Sequence, residues 1–118
     1  MPNKFKTDFS FERREQESSK ILTKYPDKIP VIVQRSEKCK NIEDINKNKF
    51  LVPGDLTLAQ FVYVIKKRIS VGPEQSIYIF LNEKTLASAT YSLSQIYNEF
   101  RDKDGFLYLD YASENTFG

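Results

Sequence analysis

Apolar and polar positions alternate along this 118-residue chain in two periods. Between Ser10 and Pro26 the segment "FERREQESSKILTKY" is polar except at Phe11, Ile21, Leu22 and Tyr25. That pattern predicts a surface helix with a thin apolar stripe, capped by Ser10, with Glu12 in its first turn. Pro26 stops it. "KIPVIVQR" is β-branched and predicts a strand from about Ile29. "KFLVP" predicts a second, very short strand ended by Pro53 and the "GD" break. Thr57 and Gln60 form a capping-box signature, followed at helical spacing by Leu58, Phe61, Val62, Ile65 and Ile69. "KKR" at 66–68 suits the negative end of that helix.

"SIYIFL" predicts a third strand, followed by a polar turn at 82–84. Ser92 and Gln95 repeat the capping-box signature and open a helix with Leu93, Ile96, Tyr97 and Phe100. "DKDG" is a turn signal, and "FLYLDY" reads as the last strand. Two strands, a helix and two further strands form a mixed sheet crossed by a helix. The expected fold is therefore α+β, a ubiquitin-like β-grasp with a four-stranded mixed sheet and an added N-terminal helical segment. The expected organisation is a helical extension over 1–27, the β-grasp core over 28–112, and a flexible tail over 113–118. Residues 1–9 are expected to form a loosely held, mobile arm, because "MPNKFKTD" is mostly polar.

Composition narrows the chemistry. Hydrophobic residues make up 40% of the chain and charged residues 29%, ordinary values for a globular domain. Apolar runs reach only about five residues, far below the ~20 that span a bilayer, and the N-terminus has no apolar signal region. The chain holds one cysteine, Cys39, and no histidine. An internal disulfide is thereby excluded, as are Ser-His and Cys-His catalysis, and the common zinc sites lose their ligands. Cys39 lies in "EKCKN", expected to be a loop. No metal, no cofactor and no enzymatic activity are expected. Net charge is +2, with twelve Lys and Arg against eight Asp and Glu over 1–50 and six against eight over 51–118. The mildly basic front half fits acidic partners; it is too dilute for nucleic acid.

Two segments raise functional questions. "KNKFLVP" sets Phe50, Leu51 and Val52 on a short strand between lysines. One reading is core residues with solubilising guards. The other is an open sheet edge that accepts an extended peptide, with alternate side chains lining pockets. Alternation sends Lys49 and Leu51 to one face, Phe50 and Val52 to the other. The second segment is "SENTFG", whose terminal Gly118 is either incidental or chemically used.

"KYPDKIPVIV", "DINKNKFLVPGDLTLAQFVYVIKKRI", "DKDGFLYLDY" and "ENTFG" resemble the autophagy-related ubiquitin-like modifiers, the family of the GABA receptor-associated protein and the yeast lipid-conjugated modifier. The resemblance runs from about Phe5 to Gly118. It implies that Gly118 is activated by an E1-like enzyme, passed to an E2-like enzyme and joined to phosphatidylethanolamine, with a cysteine protease for processing and deconjugation. Glycine suits each acyl transfer because no Cβ crowds the carbonyl. It implies that the β edge binds receptors through aromatic-x-x-aliphatic motifs. The aromatic pocket would comprise Glu17, Ile21, Pro30, Ile32, Lys49, Leu51 and Phe106. The aliphatic pocket would comprise Phe50, Val52, Pro53, Leu56, Phe61 and Val64. Lys28, Lys47 and Arg68 would meet acidic flanks. The implied localisation is cytoplasmic, with autophagosome and vacuole-related membranes after conjugation. The alternative is an unconjugated adaptor that binds peptide motifs or cytoskeleton, tubulin among its candidate partners.

Overall fold

β1 (Lys28–Arg35) is buried on both faces, and that continuous burial explains its unbroken β-branched run. It lies inside a five-stranded sheet, order β2-β1-β5-β3-β4, in a computed structural model that describes residues 4–39, 42–45, 48–72, 74–81 and 85–113. β2 (Lys49–Pro53) runs antiparallel to β1 at one edge. β5 (Leu107–Ser113) runs parallel to β1 and antiparallel to β3 (Ile77–Leu81). The two-residue β4 (Thr85–Leu86) closes the opposite edge. The β-grasp expectation is met, but the sheet has five strands, not four. β4 is too short and too exposed to leave a periodic signal.

Both capping boxes are present. In each, the hydroxyl of Thr57 or Ser92 accepts from the backbone three residues on, and the Gln60 or Gln95 side chain accepts from the cap N–H. They open α3 (Leu58–Arg68) and α4 (Leu93–Phe100). These helices cover one face of the sheet. The main core there includes Val31, Val33, Phe61, Ile65, Ile96, Leu107, Leu109 and Tyr111. Cys39 lies in a loop, as expected, but is buried in the same core, its Sγ 3.7 Å from the Ser113 hydroxyl. Ser113, placed at the start of the tail on composition, is fully buried and pairs with Ile77. The sheet therefore reaches one residue into the expected tail.

The other face carries two helices, α1 (Lys4–Asp8) and α2 (Phe11–Lys24). The loose arm expected over 1–9 contains α1, and Phe5 is only 5% exposed. Its ring meets the edge of Phe106 at 5.3 Å and tilts against Phe9 at 5.0 Å. Phe5, Ile32 and Phe106 form a second, smaller core, flanked by Phe9, Ile21 and Tyr108. A polar composition hid this contact because one aromatic ring suffices to dock a single helical turn.

α2 also turns differently from its apolar pattern. Its buried residues are Arg14 and Ser18, whereas Phe11 and Tyr25 are exposed. The Arg14 guanidinium lies 2.5 Å from the Asp104 carboxylate, which also accepts from the Tyr108 hydroxyl at 2.5 Å and the Phe106 N–H at 2.9 Å. The Ser18 hydroxyl donates to the Asp104 carbonyl. Gly105 has φ +93°, and a Cβ there would collide with Ser18. Glycine thus supplies both the left-handed turn and the close approach of α2.

Candidate functional site

Among the described residues β2 pairs only with β1, which leaves its outer edge open there. Residues directly opposite across an antiparallel pair share a face. Ile32↔Lys49 and Pro30↔Leu51 put these four residues on the α1–α2 side, and Val31↔Phe50 and Ile29↔Val52 lie on the α3 side. One strand edge is therefore flanked by apolar surface on both faces.

On the first face, Ile32 and Phe106 are fully buried and form the floor, with Pro30 buried and Ile21 half-buried beside them. Leu51 stands above, 41% exposed. Lys49 forms an ion pair with Glu17 of α2, joining the strand to the helix across the surface. Its ammonium is also 5.8 Å from the centre of the Phe5 ring. All seven residues named for the aromatic pocket border this face. Phe5 and Phe9 also pack on this face and were not anticipated; their i, i+4 spacing was the available signal.

On the second face, Phe50 meets Phe61 edge-on at 5.4 Å, and the Arg68 guanidinium lies 5.7 Å from the centre of the Phe50 ring. Phe61 and Val52 are buried, Leu56 is half-buried, and Pro53 and Val64 are exposed. Arg68 thus caps an aromatic ring beside the edge. Lys28 is half-buried at the start of β1. Lys47 and Gly118 lie outside the described residues.

The position of α2, and with it Glu17 and Ile21, depends on the Asp104 cluster. Burial pushes the Tyr108 phenol well above its usual value, reinforced by its hydrogen bond to Asp104 and opposed by Arg14, so it stays a neutral donor. Burial alone would raise the Asp102 carboxyl. Hydrogen bonds from Lys6 and the Asp104 N–H, with the positive charges of Lys6 and Arg14, hold it below its usual value instead. Among the described residues no group of three or more Cys, Asp or Glu gathers to hold a metal ion. The arrangement can bind an extended chain by its backbone and sort its side chains on two faces.

Residues 13–118 match the family model described as autophagy protein Atg8, ubiquitin like. The chain is 52% identical over its whole length to autophagy-related protein 8 of Kluyveromyces lactis, covering 94% of that protein. It is equally identical to the Schizosaccharomyces pombe protein of the same name, covering 96%. Among solved structures, the crystal structure of Trypanosoma brucei ATG8 superimposes with a TM-score of 0.92 at 35% identity, each chain fully covered.

Proposed function

Because the chain belongs to the Atg8 family of ubiquitin-like autophagy proteins, we propose that it is a modifier joined through Gly118 to phosphatidylethanolamine and that it recruits receptors through the edge of β2. The observation that carries the recruitment half is the open edge itself. Among the described residues the outer backbone groups of β2 have no strand partner; they lie between two faces with buried apolar floors, and Leu51 stands exposed at the strand's centre. An added strand gains main-chain hydrogen bonds there, and its alternate side chains reach surface on either face. An aromatic residue fits beside Lys49 and Leu51 over Ile32 and Phe106. An aliphatic residue fits over Phe50, Val52, Leu56 and Val64. Acidic residues flanking the motif meet Lys28, Lys47 and Arg68.

In the conjugation half the protein is a substrate. An E1-like enzyme adenylates the Gly118 carboxylate and captures it as a thioester, an E2-like enzyme receives it, and the lipid amine displaces the thiol. A cysteine protease handles processing and release. The protein then moves from cytoplasm to autophagosomal membrane. The test is reconstitution with both enzymes, ATP and phosphatidylethanolamine liposomes, read as a gel shift and by mass spectrometry. Gly118→Ala should slow transfer sharply, and deletion of Gly118 should abolish the lipidated band while leaving peptide binding intact. A normal band from the deletion would overturn conjugation at this residue and favour the unconjugated adaptor.

A further inference from the structure

α4 holds the backbone at two places that flank the groove. At its first turn the Leu93 N–H donates to the Leu56 carbonyl at 2.8 Å and the Ser94 N–H to the Gly54 carbonyl at 2.9 Å, which fixes the turn after β2 on the aliphatic side. One turn later the half-buried Tyr97 donates its hydroxyl to the Gly105 carbonyl at 2.7 Å. That carbonyl belongs to the same planar peptide group as the Phe106 N–H, which donates to the Asp104 carboxylate at 2.9 Å. The preceding peptide group is held in the same way. Its carbonyl, on Asp104, accepts from Ser18 of α2, and its N–H, on Gly105, donates to the Asp102 carbonyl at 3.0 Å. With φ +93° at Gly105 the two carbonyls part, one toward α2 and one toward α4. The turn is thus clamped between helices from opposite faces of the sheet, and the next residue is Phe106, the floor of the proposed aromatic pocket.

We propose that Tyr97 is a positioning residue for motif binding: through its hydroxyl it sets the height of the Phe106 ring and thereby the depth of the aromatic pocket. The proposal rests on the peptide-groove reading above. Tyr97 lines neither proposed pocket and acts through the peptide group that joins Gly105 to Phe106. Two hydrogen bonds hold that plane, one on each side. Without the phenol hydroxyl the carbonyl loses its tie to α4, and the plane can rotate against the remaining bond. Rotation swings the Phe106 Cα, and the ring, which meets Phe5 edge-on at 5.3 Å, moves with it. In a close-packed interior such a shift is felt by whatever rests on the ring. An indole, the largest aromatic side chain, reaches the floor; a phenyl ring stops short of it. The bonds from Leu93 and Ser94 to the aliphatic side do not involve Tyr97 and stay in place. The loss is therefore confined to the aromatic position and grows with the size of the side chain seated there.

The experiment is titration calorimetry of the full chain and its Tyr97→Phe variant with Trp-x-x-Leu, Trp-x-x-Val and Phe-x-x-Leu peptides, at a temperature where urea curves show both proteins folded. The substitution should weaken both tryptophan peptides about fivefold, ~1 kcal/mol, the worth of one hydrogen bond, and the phenylalanine peptide by less than about twofold. Arg101→Ala removes the guanidinium that lies 5.7 Å from the centre of the Tyr97 ring but keeps the hydroxyl, and it should change none of the three affinities. Nuclear magnetic resonance gives a readout on the unmutated chain, which decides alone if Tyr97→Phe does not fold. At saturation the Gly105 carbonyl carbon should resonate at different positions with Trp-x-x-Leu and Phe-x-x-Leu, and at the same position with Trp-x-x-Leu and Trp-x-x-Val. Equal losses for tryptophan and phenylalanine peptides, no loss, a loss that Arg101→Ala reproduces, or a Gly105 resonance blind to the aromatic residue would overturn the positioning role while the groove stands. Failure of every peptide to bind the unmutated chain would overturn the groove itself and the role of Tyr97 with it.

Discussion

Replacing Phe5 by alanine separates a docked α1 from a loose arm. The ring is 5% exposed and packs against Phe9, Phe106 and Tyr108 at centroid distances of 5.0, 5.3 and 6.4 Å. Removing a buried phenylalanine costs ~3–5 kcal/mol through lost burial and the cavity left behind. Here the lower end applies, because α1 is a single turn and the loss is bounded by the free energy of its docking. A cost of ~3 kcal/mol with a urea dependence of about 2 kcal/mol/M lowers the denaturation midpoint by ~1.5 M. Hydrogen exchange adds a local readout, since the Phe9 N–H donates to the Phe5 carbonyl at 3.1 Å. Its protection should fall with the substitution, while amides of β1 and β5 lose only what global stability loses. Superimposable urea curves, with the Phe9 amide already exchanging at the unprotected rate in the unmutated protein, would refute a docked α1.

Leu51→Ala should change the unfolding free energy from urea curves by no more than the ~0.5 kcal/mol expected of an exposed position, yet weaken a Trp-x-x-Leu peptide roughly thirty-fold, ~2 kcal/mol, as a hot-spot residue does; unchanged affinity by calorimetry would remove it from the groove. Phe50→Ala is a poorer probe, because its ring packs on Phe61 and the substitution should lower the melting temperature as well as affinity; equal melting temperatures would show that this contact adds little. Arg14→Ala strips a charge partner from the fully buried Asp104 and should destabilise by ~3–5 kcal/mol, with Arg14→Lys recovering only part for lack of a planar fork; a wild-type urea midpoint for Arg14→Ala would refute the cluster's structural role. Burial raises the phenol groups of Tyr97, Tyr108 and Tyr111. The folded state therefore holds protons that the unfolded chain gives up. Stability is complete below the unfolded phenol value of about 10 and falls as pH rises above it, so phenolate absorbance of these residues should rise together with loss of circular dichroism. Full titration of every tyrosine before any unfolding would contradict this.

Much of the scaffold is written locally. Each capping box uses a hydroxyl and a glutamine three residues apart, so both helix starts were legible from four-residue windows, and both formed. Alternation in "KFLVP" likewise assigns Lys49 and Leu51 to one face and Phe50 and Val52 to the other, because the period of a strand is fixed by its pleat. The order of helices and strands followed, and with it the ubiquitin-like fold. The rest depends on partners far away in the chain. Arg14 and Ser18 turn inward because Asp104 and Gly105 wait some ninety residues later, and a helix buries a charge only where a partner compensates it. Local hydropathy instead favoured Phe11 and Tyr25, which the fold leaves exposed. Phe5 is buried only because Phe106 and Ile32 present a second core on the far side of the sheet. β4 exists only because β3 offers an edge to two residues that have no strand pattern of their own. A cleft lined by Phe5, Phe9, Asn48 and Lys49 has the same origin, because α1 meets the end of β1 and the start of β2 only in the folded chain.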